Sequence, residues 1–284
     1  MSTAPTTPAD APVLTAEDIT VRYRRGRTDF LALDGVSITV PRATTVGLVG
    51  ESGSGKSTLA KAILGLTPIA SGRVTLLGED VTRLTGRHRR RLGRTLQAVF
   101  QDPNTSLNPS FTIGRSLIEP LRAQGLLGSV DAASRITDVL NAVGMEADVA
   151  RRRPRQFSGG QRQRISMARA LITDPQVVVC DEAVSALDLS VQAQVLNLLS
   201  DLQQQRGLSY LFISHDMSVV KHLCHEVTVL YRGRIKESGP TASVTSSPRD
   251  PYTRALLLAA PIADPRRQRE RRAAETAGDS STAA

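Results

Sequence analysis

Residues Gly50-Glu51-Ser52-Gly53-Ser54-Gly55-Lys56-Ser57-Thr58 carry the spacing G-x-x-x-x-G-K-[ST]. That spacing suits phosphate binding. Glycines let the backbone wrap closely, so consecutive N–H groups can point at phosphate oxygens. A helix beginning at the lysine adds a favourable partial positive charge. Lys56 can reach the β- and γ-phosphates of a nucleotide, and Ser57 can ligate Mg²⁺. The bland reading is a Gly/Ser-rich turn, but lysine, hydroxyl and both flanking elements are all in place.

A second group of chemical residues follows an apolar run. Val177-Val178-Val179-Cys180 ends in Asp181-Glu182. At a strand end, adjacent side chains point to opposite faces. Asp181 can hold Mg²⁺ through water, and Glu182 can orient or activate an attacking water. Phosphoryl transfer asks mainly for positioning and charge neutralisation, so two acids suffice. Alone, Asp-Glu after a strand is more often a helix N-cap. The phosphate loop upstream reverses that balance.

The elements that must hold these residues alternate in period. Val13 to Tyr23 and Ala32 to Val40 read as strands joined by a basic loop. Thr44 to Val49 is a short buried strand that stops at Gly50, and Lys56 to Leu66 is a helix ended by Thr67-Pro68. Residues 111 to 145 are mainly helical. Gly160 to Ile172 is a helix, Val177 to Cys180 a strand and Val191 to Gln205 a long helix. Leu208 to Ile213 and Val227 to Tyr231 are strands, the latter followed by a turn at Gly233. Strand and helix in alternation predict an α/β sheet with parallel strands. Residues 1–12 read as a disordered leader and 263–284 as a disordered tail. The span 13–262 is then one domain, with a helical lobe at about 103–170.

Composition narrows the classes. The chain has 284 residues, 40% of them hydrophobic, which is enough for a real core. Two cysteines cannot make a disulfide framework or a four-thiolate zinc site. No apolar run reaches the roughly 18 residues of a membrane-spanning helix. The start MSTAPTTPADAP has no basic n-region or apolar h-region, so no secretory signal is expected. The net charge is +9. Its excess lies in two acid-free stretches, Arg83 to Arg94 and Arg151 to Arg164. A nucleic-acid binder would interleave aromatics for stacking, and aromatics are only 3%. His222, Cys224 and His225 invite a metal reading, but helix geometry does not bring all three to one point.

Further motifs complete a family pattern. Phe157-Ser158-Gly159-Gly160-Gln161 resembles the signature motif of the ATP-binding subunits of ABC transporters, with Phe where Leu is commoner. Gln101 resembles that family's Q-loop, Ser185-Ala186-Leu187-Asp188 its D-loop, and His215 its switch histidine. Tyr23 stands where an adenine-stacking aromatic is expected. Each motif except the phosphate loop is weak alone; six in order are specific. The resemblance covers about residues 13 to 262. It implies an ABC-type fold: a P-loop NTPase core with a mostly parallel sheet and flanking helices, an antiparallel β part and a helical lobe.

The resemblance also implies roles. ATP and Mg²⁺ are the expected ligands. Glu182 and His215 are the expected catalytic pair, with Ser57, Gln101 and Asp181 around the metal. Ser158, Gly159 and Gly160 precede a helix starting near Gln161 and would meet the γ-phosphate held by a partner subunit, near the D-loop Asp188. Ala183 departs from the family pattern, where proline usually follows the glutamate.

The wording QDPNTSLNPSFTIGRSLIEPL and Pro248-Arg249-Asp250-Pro251-Tyr252-Thr253-Arg254-Ala255-Leu256-Leu257 resembles the oligopeptide/dipeptide or nickel importer ATPases, and Val184-Ser185-Ala186-Leu187-Asp188 looks like the second ATPase of their usual pair. That implies a second ATPase subunit, two permeases and an extracytoplasmic solute-binding protein as partners. It implies a peripheral position on the cytoplasmic face of the membrane, and no nucleic acid. The alternative is a non-transport ABC ATPase acting on nucleic acid or the ribosome. Those usually carry tandem cassettes or a long coiled-coil insertion, and the stretch from Lys56 to Ser158 is too short for one.

Overall fold

The computed structural model describes residues 11–25, 28–83, 92–102 and 106–259. Residues 1–10 of the expected leader, the expected tail, Arg87, Arg89, Arg90 and Arg91 lie outside the described residues. In chain order the first half comprises β1 (Leu14–Arg25), β2 (Thr28–Val40), β3 (Thr45–Val49), α1 (Lys56–Ile63), β4 (Ser71–Leu76), β5 (Glu79–Asp80), β6 (Leu96–Phe100), α2 (Ile113–Ala123) and α3 (Ala132–Ala142). The second half comprises α4 (Gly159–Leu171), β7 (Val177–Asp181), α5 (Leu189–Arg206), β8 (Ser209–Ser214), α6 (Met217–Leu223), β9 (Glu226–Tyr231), β10 (Arg234–Pro240), α7 (Thr241–Ser246) and α8 (Pro251–Ala259).

These strands form two sheets. One has the order β2-β1-β4-β5 and is antiparallel. The other has the order β10-β9-β3-β8-β7-β6 and is parallel except for its β10 edge. The expected α/β class with an antiparallel part is therefore borne out. β3, β7 and β8 are buried along their whole length. That is why they read as continuous apolar runs rather than as alternating ones.

Alternation survives in where the side chains go. Val177, Val179, Leu211 and Ile213 face a core shared with β1, β2 and α1. Val178, Cys180, Tyr210 and Phe212 face the opposite core, shared with α2 to α6. Each strand thus serves two hydrophobic layers. Full burial of one such side chain contributes about 1.5–3 kcal/mol. α1 touches both sheets, meeting β1 and β2 on one side and β7 on the other. The helix that follows the phosphate loop is therefore clamped at the centre of the molecule.

Several elements differ from the sequence-based expectation. The helical span 111–145 is two helices, α2 and α3, separated by a turn with Gly125 at φ 69. Strands β4, β6 and β10 were not expected. β10 alternates between exposed and half-buried residues along its length, which gives no apolar signal. The helical argument about His222, Cys224 and His225 also needs correction. α6 ends at Leu223, and Cys224 is extended with φ −95 and ψ 138. His225 instead accepts the Thr45 N–H at Nδ1 (3.1 Å), which fixes the start of β3.

One turn ties both sheets to the loop between them. Gly233, at φ 75, donates its N–H to Ser54 O (2.8 Å) and accepts from Asp34 N (2.9 Å). A Cβ there would come to 2.6 Å from Ala32 O, a backbone atom with little freedom to retreat. Gly233→Ala is therefore expected to cost about 1–3 kcal/mol, from positive φ and crowding together. Chemical denaturation of the variant measures this, and wild-type stability would contradict the role of the turn.

Candidate functional site

The phosphate loop leaves β3 and turns into α1. Gly50, Gly53 and Gly55 have φ of 153, 78 and 111, which L side chains rarely adopt. A Cβ on Gly50 would meet Leu230 O at 2.1 Å, and one on Gly55 would meet Leu33 Cδ2 at 2.8 Å. Sterics thus fix glycine here from two sides. The loop closes on itself through Ser54 N to Glu51 O (3.2 Å). Lys56 is 4% exposed. Its Nζ donates to Gly50 O (2.7 Å) and Glu51 O (2.8 Å), which centres the ammonium in the loop. Burial lowers the Lys56 pKa, and the charges of Glu182, Asp181 and Glu51 oppose that shift.

The two acids arrive together at the end of β7, which β8 separates from β3. Asp181 pairs in register with Ile213, and Val49 with Ser214, so β3, β7 and β8 end at one level. Ser57 Oγ donates to Asp181 Oδ1 at 3.2 Å. Burial raises the Asp181 pKa; the Ser57 hydrogen bond works against this and Glu182 reinforces it. Glu182 has φ 50, the left-handed region. Its N–H donates to Ile213 O (3.0 Å), and its carbonyl accepts from both Ser185 N (3.1 Å) and Ser185 Oγ (3.0 Å). A non-glycine residue held this way stores about 1–3 kcal/mol of strain, and such residues cluster at functional sites. The turn brings Glu182 Oε1 to 3.3 Å from His215 Nδ1. His215 sits between β8 and α6, where Asp216 caps the helix by accepting from Ser218 N (2.8 Å).

The remaining expected residues are placed by register and packing. Gln101 follows Phe100, which pairs with Asp181, so it leaves the same sheet edge. Tyr23 lies two residues beyond Val21, whose partner Leu33 abuts Gly55. Tyr23 is 39% exposed and faces Phe30 across the strands. Glu51, Ser52 and Thr58 lie in the loop and the first turn of α1.

The signature segment differs in detail from its expectation. α4 begins at Gly159, not near Gln161, and Ser158 is its N-cap. Ser158 Oγ accepts from Gln161 N (3.3 Å), and Gln161 Oε1 accepts from Ser158 N (3.0 Å). This reciprocal cap sets the helix start at Gly159, one residue before the Gly160 expected from periodicity. The N–H groups of Gly159 and Gly160 then belong to the first turn, which has no intrahelical acceptors. A Cβ on Gly160 would come to 2.2 Å from Val191 Cγ1, and Leu187 is the neighbour nearest Gly159. Close packing thus joins the signature helix to α5, whose N-cap is Asp188. The structure groups Ser158 to Gln161 with the D-loop rather than with Gly50 to Thr58.

Two contributors lay outside the sequence-based set. Gly233 is the turn described above. Tyr252 accepts the Glu51 N–H at its hydroxyl (3.0 Å). The only sequence signal for Tyr252 was its place in the 248–257 wording, which marked a subfamily but carried no role.

The donor set fits the expected ligands. Ser57 and Asp181 offer hard oxygen donors, the kind Mg²⁺ takes. The buried Ser54 hydroxyl has no protein partner inside the glycine cradle, which suits an oxygen-rich group. A carboxylate 3.3 Å from an imidazole, beside a buried ammonium, can activate and orient water next to a phosphate.

The chain is similar to several known proteins. A family model described as ABC transporter matches residues 33–185. A putative peptide import ATP-binding protein of Brucella abortus is 48% identical over 247 residues, covering 87% of this chain and 74% of its own. The glutathione import ATP-binding protein GsiA of Escherichia coli K12 is 47% identical over 268 residues, covering 92% of this chain and 43% of its own. The ATP-binding cassette MJ0796, solved as a dimer bound to ADP and Pi, superposes with a TM-score of 0.72 at 26% identity, over 80% of this chain and 98% of that one.

The raised Asp181 pKa has a signed consequence. The folded protein bears the cost of a buried, ionised carboxylate above that pKa and is relieved of it as Asp181 protonates. Asp181→Asn keeps an acceptor for Ser57 without the charge. The nucleotide-free variant is expected to unfold at a higher temperature than wild type at pH 7–8. That gain should shrink as pH falls through the raised pKa, which thermal melts across pH measure.

Proposed function

Because the chain belongs to the ABC transporter family, we propose that it is an ATP-hydrolysing subunit that powers a membrane importer, with peptides as the solute class. The observation that carries this is the meeting of Lys56, Ser57, Asp181, Glu182 and His215 at the C-terminal ends of β3, β7 and β8. The names of the two relatives support the solute class. The domain spans 13–262 in this reading, with 103–170 as its helical lobe.

The loop Gly50 to Thr58 and Lys56 hold the β- and γ-phosphates, and Tyr23 stacks on the adenine. Ser57, Asp181 and Gln101 would hold Mg²⁺, which supplies positive charge against the negative charge that builds on the phosphates. Glu182 accepts a proton from the attacking water as its oxygen bonds to the γ-phosphorus. The bond to the β-γ bridging oxygen breaks, and ADP leaves with that electron pair. His215 orients Glu182 and the γ-phosphate. Ser158, Gly159, Gly160 and Gln161 present a capped helix N-terminus to the phosphate bound by a second ATPase subunit, with Asp188 at the same interface. ATP closes this dimer and hydrolysis reopens it.

The other partners in this reading are two permeases and an extracytoplasmic solute-binding protein. The chain is the second ATPase of a pair and lies peripherally on the cytoplasmic face of the membrane. No helix among the described residues is long and apolar enough to cross a membrane. In this reading the permeases supply the span. The alternative on nucleic acid or the ribosome has none of the relatives named above behind it.

Glu182→Gln is expected to lower ATP turnover by more than about 100-fold. It should also accumulate an ATP-dependent dimer on size exclusion; normal turnover would refute the role of Glu182. Deleting the chain from its host should abolish uptake of labelled di- and tripeptides, and retained uptake would refute the solute class.

A further inference from the structure

The Gly50–Glu51 peptide group is gripped from both ends. Its carbonyl oxygen accepts from Lys56 Nζ at 2.7 Å. Its N–H donates to the Tyr252 hydroxyl at 3.0 Å. A trans peptide points its N–H and C=O in opposite directions, so both contacts act on one rigid plane. Gly50 precedes that plane, and glycine tolerates either orientation of it at low steric cost. The plane therefore depends on what holds it from outside.

Tyr252 is well fixed for this task. Its ring lies against Tyr231, with centroids 4.2 Å apart at 39°. Its own N–H donates to Asp250 Oδ1 (2.7 Å). The Glu237 carboxylate accepts from Arg249 N (3.0 Å) and Asp250 N (3.2 Å), which pins the start of α8 to β10. A path of hydrogen bonds thus runs from the sheet edge through α8 to the phosphate loop.

We propose that Tyr252 is a positioning residue for Lys56: through the Gly50–Glu51 peptide it fixes the carbonyl that holds the ammonium, and so sets nucleotide affinity from α8. This rests on reading Gly50 to Thr58 as the nucleotide loop. Tyr252→Phe keeps the ring against Tyr231 and removes only the hydroxyl.

Isothermal titration of the full chain with ATP is expected to give a Kd about five-fold higher for Tyr252→Phe, with an unchanged thermal midpoint. The Glu51 amide is expected to exchange slowly in wild type and quickly in the variant. An unchanged Kd overturns the proposal. So does a weaker Kd that comes with a fallen midpoint and unaltered Glu51 exchange, because that assigns the effect to packing. Fast Glu51 exchange in wild type overturns it even where the variant fails to fold. Lys56→Ala, titrated alongside, separates the two readings. If Lys56→Ala binds ATP normally, the nucleotide-loop reading itself fails. If it loses ATP while Tyr252→Phe binds as wild type does, only the role of Tyr252 falls.

Discussion

The parallel register of β3, β7 and β8 sets the position of the phosphate loop, the two acids and His215. Val49 lies level with Ser214, and Asp181 with Ile213. The chain leaves each strand at the same height, so the loop, the acids and the histidine emerge together. Shifting one strand by a residue would turn its apolar set to the wrong layer. Two hydrophobic cores, one on each face, hold that register. The chemistry is thus located by packing, and its groups need only short excursions to meet.

Those excursions are where local preference is overruled. Gly50, Gly53 and Gly55 take backbone conformations open to glycine, and sterics around Gly50 and Gly55 leave no room for a side chain. Glu182 takes the left-handed region without that excuse. Three hydrogen-bonded groups hold its backbone, Ile213 O, Ser185 N and Ser185 Oγ, and the His215 ring lies 3.3 Å from its carboxylate. Burial works in the same direction at Asp181 and Lys56, drawing both toward their neutral forms. Stability is given up at the points where oppositely charged groups are held ready around a ligand.

Much of this was legible in the sequence, for physical reasons. Fully buried strands such as β3 and β7 announce themselves as apolar runs, and glycines at fixed offsets mark the loop. The order of motifs then named the family. β10 escaped notice because an edge strand with one wet face needs no apolar residues. The start of α4 was legible to within one residue, and the mutual cap of Ser158 and Gln161 sets the exact position. Tyr252 escaped because its partner is 201 residues away in the chain. No local pattern encodes a hydrogen bond between a distant phenol and a backbone N–H.

The contact between Gly160 and Val191 has a mechanical meaning. With a methyl group already too large at Gly160, α4 and α5 cannot slide past each other there. The signature segment and Asp188 ride on the ends of two helices locked at that point. Ser158 to Gln161 and Asp188, carried by different helices, are therefore held beside each other by that one close approach.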